Sequence, residues 1–219
     1  MKQRPVAEST AGSTRPEIVR LGPRDVARGH RFAGVAATRA DVAVLAMMLE
    51  RERAIVRRRV ADGTIALPGR SGAQTRRQYL VVPDWDALAV ARDATFVGFF
   101  GQLRAGVDHS LLFVLEAELV ATFPRYAGLG LLSYYDLGAE HGRYGNLILF
   151  AGPDGPALWR GNEVHRRATA VAPDHYESIR LHRGRVPGAL LGDGRLTLEQ
   201  TTYLQFLPGG LWHAVRSYA

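Results

Sequence analysis

TFVGFFGQ (residues 95–102), LGLLSYYD (129–136), YGNLILFA (144–151) and YESIRLHRG (176–184) are the four segments that decide the fold prediction. Each is rich in the β-branched and aromatic residues that are typical of strands. Helices are predicted at residues 109–123, between the first two strands, and at 159–172, before the last strand, where Pro173 is expected to end the helix. The predicted order from residue 95 to residue 184 is therefore β-α-β-β-α-β.

This order is the ferredoxin-like, split βαβ arrangement of the α+β class. Its helices cover one face of the sheet, so the other face needs a cover of its own. We expect a twin subunit to supply that cover in a dimeric α+β barrel, with the rest of the chain helping to close the structure.

Outside this unit, the pattern divides the chain of 219 residues into an arm, an extension and the barrel domain. Residues 1–34, rich in Pro, Gly, Ser, Thr and Arg, are predicted to be a flexible N-terminal arm. Residues 35–94 are predicted to be a helix–strand–helix extension that packs on the barrel. Residues 95–219 form the barrel domain, which includes a last strand at 197–206.

The extension begins with the clearest helix of the chain, at residues 38–60, where apolar residues recur at helical spacing. A loop follows at 63–75, in which a short strand at 64–67 is one option. A strand at 76–82 and a short helix capped by Asp84 complete it.

Composition excludes several kinds of site. The chain has no cysteine, so disulfides, thiolate catalysis and cysteine-based metal sites are excluded. It has no apolar run of the roughly 18–20 residues that a membrane helix needs, and its N-terminus has no apolar signal core. We therefore expect a cytoplasmic protein without a membrane partner.

The net charge of +7 raises the question of a nucleic-acid partner. Every basic residue except Lys2 is arginine, and most are scattered, which indicates codon bias. One dense cluster alternates with Glu50 and Glu52: Arg51, Arg53, Arg57, Arg58 and Arg59. We interpret it as a solvated helix face, with an anion or nucleic-acid contact as the alternative.

The strand at residues 176–184 alternates between polar and apolar side chains. Ser178, Arg180 and His182 share one face, and Ile179 and Leu181 share the other. The apolar face should meet the helices, which leaves Arg180 to anchor an anionic group and His182 to act as a general acid or base. A solvated edge strand, or an ion pair across the dimer, is the alternative.

The central hairpin supplies Asn146 and one of Tyr134 or Tyr135, because adjacent residues of a strand face opposite sides. We select Tyr135 and Asn146 as the groups that orient a ligand. The alternatives are a tyrosine packed in the core and an asparagine that serves a turn or bulge beside Gly145.

Further candidates lie within the first strand of the unit and just after it. Phe100 is predicted to contribute to an apolar wall, and Arg104 and His109 to the mouth of the pocket. Glu116 and Glu118 lie two apart on a helix, do not face each other, and are interpreted as helix surface.

Two short motifs carry a family resemblance: WRGNEVHRRA (residues 159–168) and GFFGQLR (98–104). With the element order over residues 95–206, they resemble the dimeric α+β barrel superfamily. Its members include antibiotic-biosynthesis-type monooxygenases, haem-degrading monooxygenases, chlorite-dismutase-like proteins and haem-dependent aldoxime dehydratases.

The resemblance implies a homodimer that acts on a hydrophobic secondary metabolite by oxygenase or dehydratase-like chemistry. It also implies that His165 ligates a haem iron, the one metal role expected here. A cofactor-free pocket role or a surface role for His165 is the alternative. For the whole protein, the alternative is a non-catalytic small-molecule-binding or stress-response barrel.

Overall fold

A computed structural model describes residues 17–62, 78–138 and 143–218. Residues 1–16 of the predicted arm, and the loop at 63–75 with its optional strand, lie outside this part of the chain. The strands are β1 (Ile18–Leu21), β2 (Gln78–Val81), β3 (Asp93–Leu103), β4 (Leu131–Gly138), β5 (Arg143–Phe150), β6 (Tyr176–Pro187), β7 (Thr197–Leu207) and β8 (Gly210–Ser217). The helices are α1 (Val35–Asp62), α2 (Trp85–Val90), α3 (Ser110–Ala121), α4 (Gly155–Gly161) and α5 (Glu163–His175).

The eight strands form one mixed sheet in the order β1-β8-β7-β6-β3-β5-β4-β2. Its neighbouring strands are antiparallel except for β1 and β8, which are parallel. The predicted α+β class is confirmed, and the order β-α-β-β-α-β is present from β3 to β6. None of the helices in the described residues is both long enough and apolar enough to cross a membrane.

Helices of the same chain cover both faces of the central strands. On one face, α1 packs Leu45, Met48 and Leu49 against residues of β3, β4 and β5. Gly98 permits this contact, because a Cβ atom there would lie 2.6 Å from Cδ1 of Leu45. On the other face, α3 and α4 pack on the sheet around Trp159. Helix α1, which was predicted to belong to an extension packed on the barrel, therefore covers the face of the sheet that we expected a twin subunit to cover.

The second helical connection differs from the single predicted helix. Asn162 divides it into α4 and α5, since its side chain accepts a hydrogen bond from the backbone N–H of His165 at 3.1 Å and so caps α5. Pro173 does not end α5, which continues to His175. The hydrogen bond that Pro173 cannot donate would reach the carbonyl of Thr169, an exposed residue whose carbonyl water can solvate.

The described part of the predicted arm is integrated into the fold. β1 pairs with β8, a strand beyond the last one predicted. Arg216 of β8 donates hydrogen bonds to the carbonyls of Gly22, at 2.6 Å, and Ala33, at 3.0 Å. Residues 18–33 are therefore not a free arm. β1 has only four residues, three of them exposed, which is too short for alternation to reveal a strand whose partner lies at the other end of the chain.

The arginine cluster of α1 is only partly a solvated face. Arg53 is buried and donates to the carbonyls of Ala189 and Gly194 at 2.9 and 2.7 Å. Arg57 pairs with Asp193 at 2.5 Å. These two arginines thus hold the loop after β6 against α1, which weakens the nucleic-acid alternative.

Candidate active site

The predicted catalytic residues lie on opposite faces of the sheet. Tyr135 packs in the core beneath α1, and Arg180 and His182 contact α1. Asn146 lies on the α3 face, where it donates a hydrogen bond to the hydroxyl of Tyr134 at 3.3 Å. The four residues therefore do not form one site, because β4, β5 and β6 each alternate between the two faces.

Arg180 and His182 both bind Asp41 of α1. The Arg180 guanidinium donates to both carboxylate oxygens of Asp41, from Nη2 at 3.0 Å and from Nε. His182 Nε2 lies 2.9 Å from Oδ2 of Asp41, and its Nδ1 lies 2.9 Å from the hydroxyl of Thr201. Burial alone would raise the pKa of Asp41, but the hydrogen bonds and charges of His182 and Arg180 lower it. The anion expected at Arg180 is thus supplied by the chain itself, and the cluster fastens α1 to the sheet.

The residues that were predicted to line the wall and the mouth of the pocket also connect helices and strands. Phe100 lies on the α1 face, with its ring 5.6 Å from that of His182. Arg104 donates to the carbonyls of Pro173 and Phe206, at 3.1 and 2.8 Å, and so ties the end of β3 to α5 and β7. His109 contacts the carbonyl of Arg104 and the ring of His175. Arg104 and His109 are therefore not brought together with Phe100.

His165 lies in the first turn of α5, with its ring 5.7 Å from that of Trp159. Burial lowers its pKa, and the charge of Arg160 lowers it further, so the imidazole is neutral, the form that ligates metals. Beneath it, Trp159 packs closely on Phe123 and Phe150. The side of His165 that faces Trp159 is therefore occupied by protein side chains. Haem ligation by His165 stays a prediction.

The strongest constellation on the α3 face was missed by the sequence patterns. Tyr79, Asp136 and Asn146 lie side by side on β2, β4 and β5, because the register pairs Tyr79 with Asp136 and Asp136 with Asn146. Glu116 reaches down from α3, where its Oε1 accepts hydrogen bonds from the hydroxyls of Tyr79, at 2.5 Å, and Tyr134, at 3.4 Å. Glu116 was interpreted as helix surface, but it faces the sheet.

Asp136 and Glu116 form a carboxylate pair that shares a hydrogen bond. Asp136 is 3% exposed. Its burial, and then the charge and hydrogen bond of Glu116, raise its pKa well above the ordinary value. No cation of the described residues contributes to this shift. The pair therefore favours keeping a proton above the pH range in which an isolated aspartate ionises, because two adjacent negative charges repel each other.

Tyrosine hydroxyls complete the polar part of the site. Burial raises the pKa of Tyr79, of Tyr134 and of Tyr176, and the nearby carboxylates raise each of them further, so all three stay protonated donors. Oδ1 of Asn146 is buried and accepts no hydrogen bond from the described residues. It is an acceptor left for a ligand or water.

Aromatic rings line the same end of the sheet. Phe99, in register with Asn146, makes an edge contact with Tyr176 at 5.6 Å, and Phe113 of α3 lies 5.8 Å from Tyr144. We name Tyr79, Glu116, Tyr134, Asp136 and Asn146 the dyad site. One sequence feature could have revealed it: Tyr134 and Asp136 are two apart, and Asp136 is a charged residue inside an apolar strand.

Comparison with known proteins adds little to this geometry. No protein-family model matches the chain, and no curated protein matches it. The crystal structure of NE2512, a protein of unknown function from Nitrosomonas europaea, is similar at 15% identity with a TM-score of 0.39. The similarity covers 48% of this chain and 99% of that one.

Proposed function

We propose that this protein is a small-molecule enzyme that performs general acid–base catalysis at the dyad site. The observation that carries the proposal is the buried, cation-free pair of Asp136 and Glu116. Two carboxyl groups at hydrogen-bonding distance cannot both ionise readily, so one stays an acid while the other is a base. A purely structural pair would more commonly be neutralised by an arginine, as Asp41 is by Arg180.

The two carboxyl groups have separate roles. Asp136, the more deeply buried, holds the proton and acts as the general acid. Glu116, on the helix, acts as the general base. Tyr79 and Tyr134 donate hydrogen bonds to Glu116, which orient its carboxylate.

The lining favours a neutral, hydrophobic substrate with an aromatic ring. Phe99, Phe113, Tyr144 and Tyr176 present ring faces and edges, while the negative dyad repels anions. A base that removes a proton from carbon, beside an acid that protonates an oxygen, suits dehydration or enolisation. The reaction class is thus a lyase or isomerase, which agrees with the dehydratase-like chemistry implied by the resemblance.

The finer fold assignment belongs to the same proposal. The order β6-β3-β5-β4, with α3 and the α4–α5 pair as its helical connections, supports a ferredoxin-like unit. A homodimer stays a prediction, which light scattering after size-exclusion chromatography tests.

A non-catalytic ligand-binding protein is the second candidate. The near-complete burial of Asp136 and Tyr134 favours it, because a deeply enclosed site can hold a ligand without turnover. The two candidates differ in one respect: only the enzyme requires the proton of Asp136 to move.

An experiment without substrate tests whether Glu116 raises the pKa of Asp136. Carboxyl carbon shifts, followed by NMR across pH, should show that Asp136 loses its proton at a pH well above the ordinary range of an aspartate, because burial and Glu116 raise its pKa. Glu116→Gln should lower the pKa of Asp136, since it removes the neighbouring charge. Glu118→Gln is the matched control, because Glu118 is on the same helix but pairs with Arg167 at 2.7 Å. Normal titration of Asp136 near pH 4 would refute the proposal.

Turnover then separates enzyme from carrier. The protein is incubated with a panel of aromatic β-hydroxy ketones and enolisable ketones, and products are detected by mass spectrometry and deuterium exchange. Asp136→Asn should reduce turnover by a factor on the order of 100 or more while ligand binding persists. Binding without turnover in the unmodified protein would favour the carrier.

A further inference from the structure

A second constellation lies on the α3 face, away from the dyad site, where β6 meets the junction of α4 and α5. Arg183 of β6 is in register with Val97 and therefore shares its face of the sheet. Val97 and Val164 pack on the same cluster around Trp159. Arg183 thus lies beneath the junction that carries Arg160 and His165. We name these three basic residues the basic cleft.

Arg183 is half-buried, and it differs from the buried Arg53 and Arg216 because one of its guanidinium N–H groups has no acceptor among the described residues. Its Nε atom is buried and has no hydrogen-bond partner in the described ranges. Arg53 and Arg216, by contrast, donate to backbone carbonyls. Arg185, two residues along the same strand, pairs with Glu199 at 2.6 Å. A buried guanidinium N–H without an acceptor is costly, so this position is built for an acceptor from elsewhere.

The charges around Arg183 point the same way. Burial lowers the pKa of Arg183 and of His165, and in both residues the charge of Arg160 lowers it further. No carboxylate contributes to either shift. Arg160 therefore lies near both Arg183 and the neutral His165 without an acidic partner, and the charges of the two arginines repel each other until an anion lies between them.

We propose that the basic cleft binds a small oxyanion, the carboxylate or phosphate group of a metabolite. Arg183 donates from its buried Nε, and Arg160 approaches from the exposed side. Guanidinium groups suit this role because their N–H fork matches the oxygens of carboxylates and phosphates. The ring of Trp159, stacked on Tyr134 at 6.1 Å, separates the cleft from the dyad site. The proposal is therefore independent of the proposed acid–base chemistry.

The test uses inorganic phosphate and acetate as probes of the full-length protein, with ionic strength held constant by chloride. Binding is measured by isothermal titration calorimetry, and the His165 ring is followed by NMR. We expect saturable binding of a probe, with a rise in the pKa of His165 on saturation, since an anion stabilises the imidazolium. Tighter binding of phosphate than of acetate assigns a phosphate ligand, and the reverse assigns a carboxylate.

Variants locate the binding. Arg183→Gln and Arg160→Gln should each weaken binding by about tenfold or more, as expected for a lost charge-assisted hydrogen bond. Arg185→Gln, on the same strand, is the control and should leave binding unchanged. Arg160 is exposed, so its variant keeps the test valid should Arg183→Gln fail to fold. Equal weakening in all three variants, or no binding of either probe, would overturn the proposal.

Discussion

The buried side chain of Glu52 should make the free energy of unfolding of this protein depend on pH. It lies on the sheet side of α1 and is 0% exposed, and neither carboxylate oxygen has a hydrogen-bond partner among the described residues. Burial raises its pKa from 4.5 to about 8, against the opposing effects of Ser133 and Arg53. Glu52 is therefore protonated in the folded protein at neutral pH but ionised in the unfolded chain.

This difference makes folding less favourable as pH rises. Below about pH 4.5, both states hold the proton and Glu52 has no pH-dependent cost. Between the unfolded and folded pKa values, the unfolded state loses its proton first, so stability falls by about 1.4 kcal/mol per pH unit. The loss reaches about 3 kcal/mol at pH 7 and about 5 kcal/mol above pH 8.

Glu52→Gln removes this dependence while keeping the shape of the side chain. We expect its stability, relative to the unmodified protein, to increase by about 3 to 4 kcal/mol between pH 5 and pH 8. Urea unfolding followed by tryptophan fluorescence measures this difference, and the other titrating groups cancel in it. Glu177→Gln, at an exposed position, is the control and should show a constant difference. Parallel pH profiles for Glu52→Gln and the unmodified protein would refute the reasoning.

Two further predictions concern how α1 is held on the sheet. Asp41→Asn should destabilise the fold by about 3 kcal/mol or more in urea unfolding, because it leaves the charge of Arg180 poorly compensated beneath α1. Arg167→Gln, which breaks an exposed pair, should change stability by less than about 1 kcal/mol, and equal effects would contradict the assignment of Asp41. Gly98→Ala should cost about 1–3 kcal/mol, since its Cβ would clash with Leu45. In that background Leu45→Ala should cost less than it does alone, and simple additivity of the two changes would argue against the contact.

Local patterns predicted the helices and strands whose apolar residues follow a regular period. Asp84 caps α2 as expected, by accepting a hydrogen bond from the backbone N–H of Ala87 at 2.9 Å. β3, β4, β5 and β6 lie where alternation and composition indicated, within a few residues. β1 was missed because its four residues gain their order by pairing with β8 at the other end of the chain, whereas β8 continues the sheet as an antiparallel hairpin with β7, which the sequence pattern did not extend to.

The candidate site was less predictable than the fold. Polar residues inside strands were correctly singled out as unusual, but their partners come from α1 and α3, which no strand pattern identifies. Asp41 turns Arg180 and His182 into an internal anchor. Glu116 turns Asp136 into half of a carboxylate pair.

The sequence by itself determined the α+β class, the order of elements from β3 to β6 and the apolar stripe of α1, because these depend on the spacing of neighbouring residues. Only the tertiary structure decided which face of the sheet α1 covers and which polar side chains meet. Adjacent residues such as Tyr134 and Tyr135 point to opposite faces, and the alternation alone is equally consistent with either one lining the site. Packing resolves this ambiguity, because α1 and α3 bring different side chains to the two faces of the sheet.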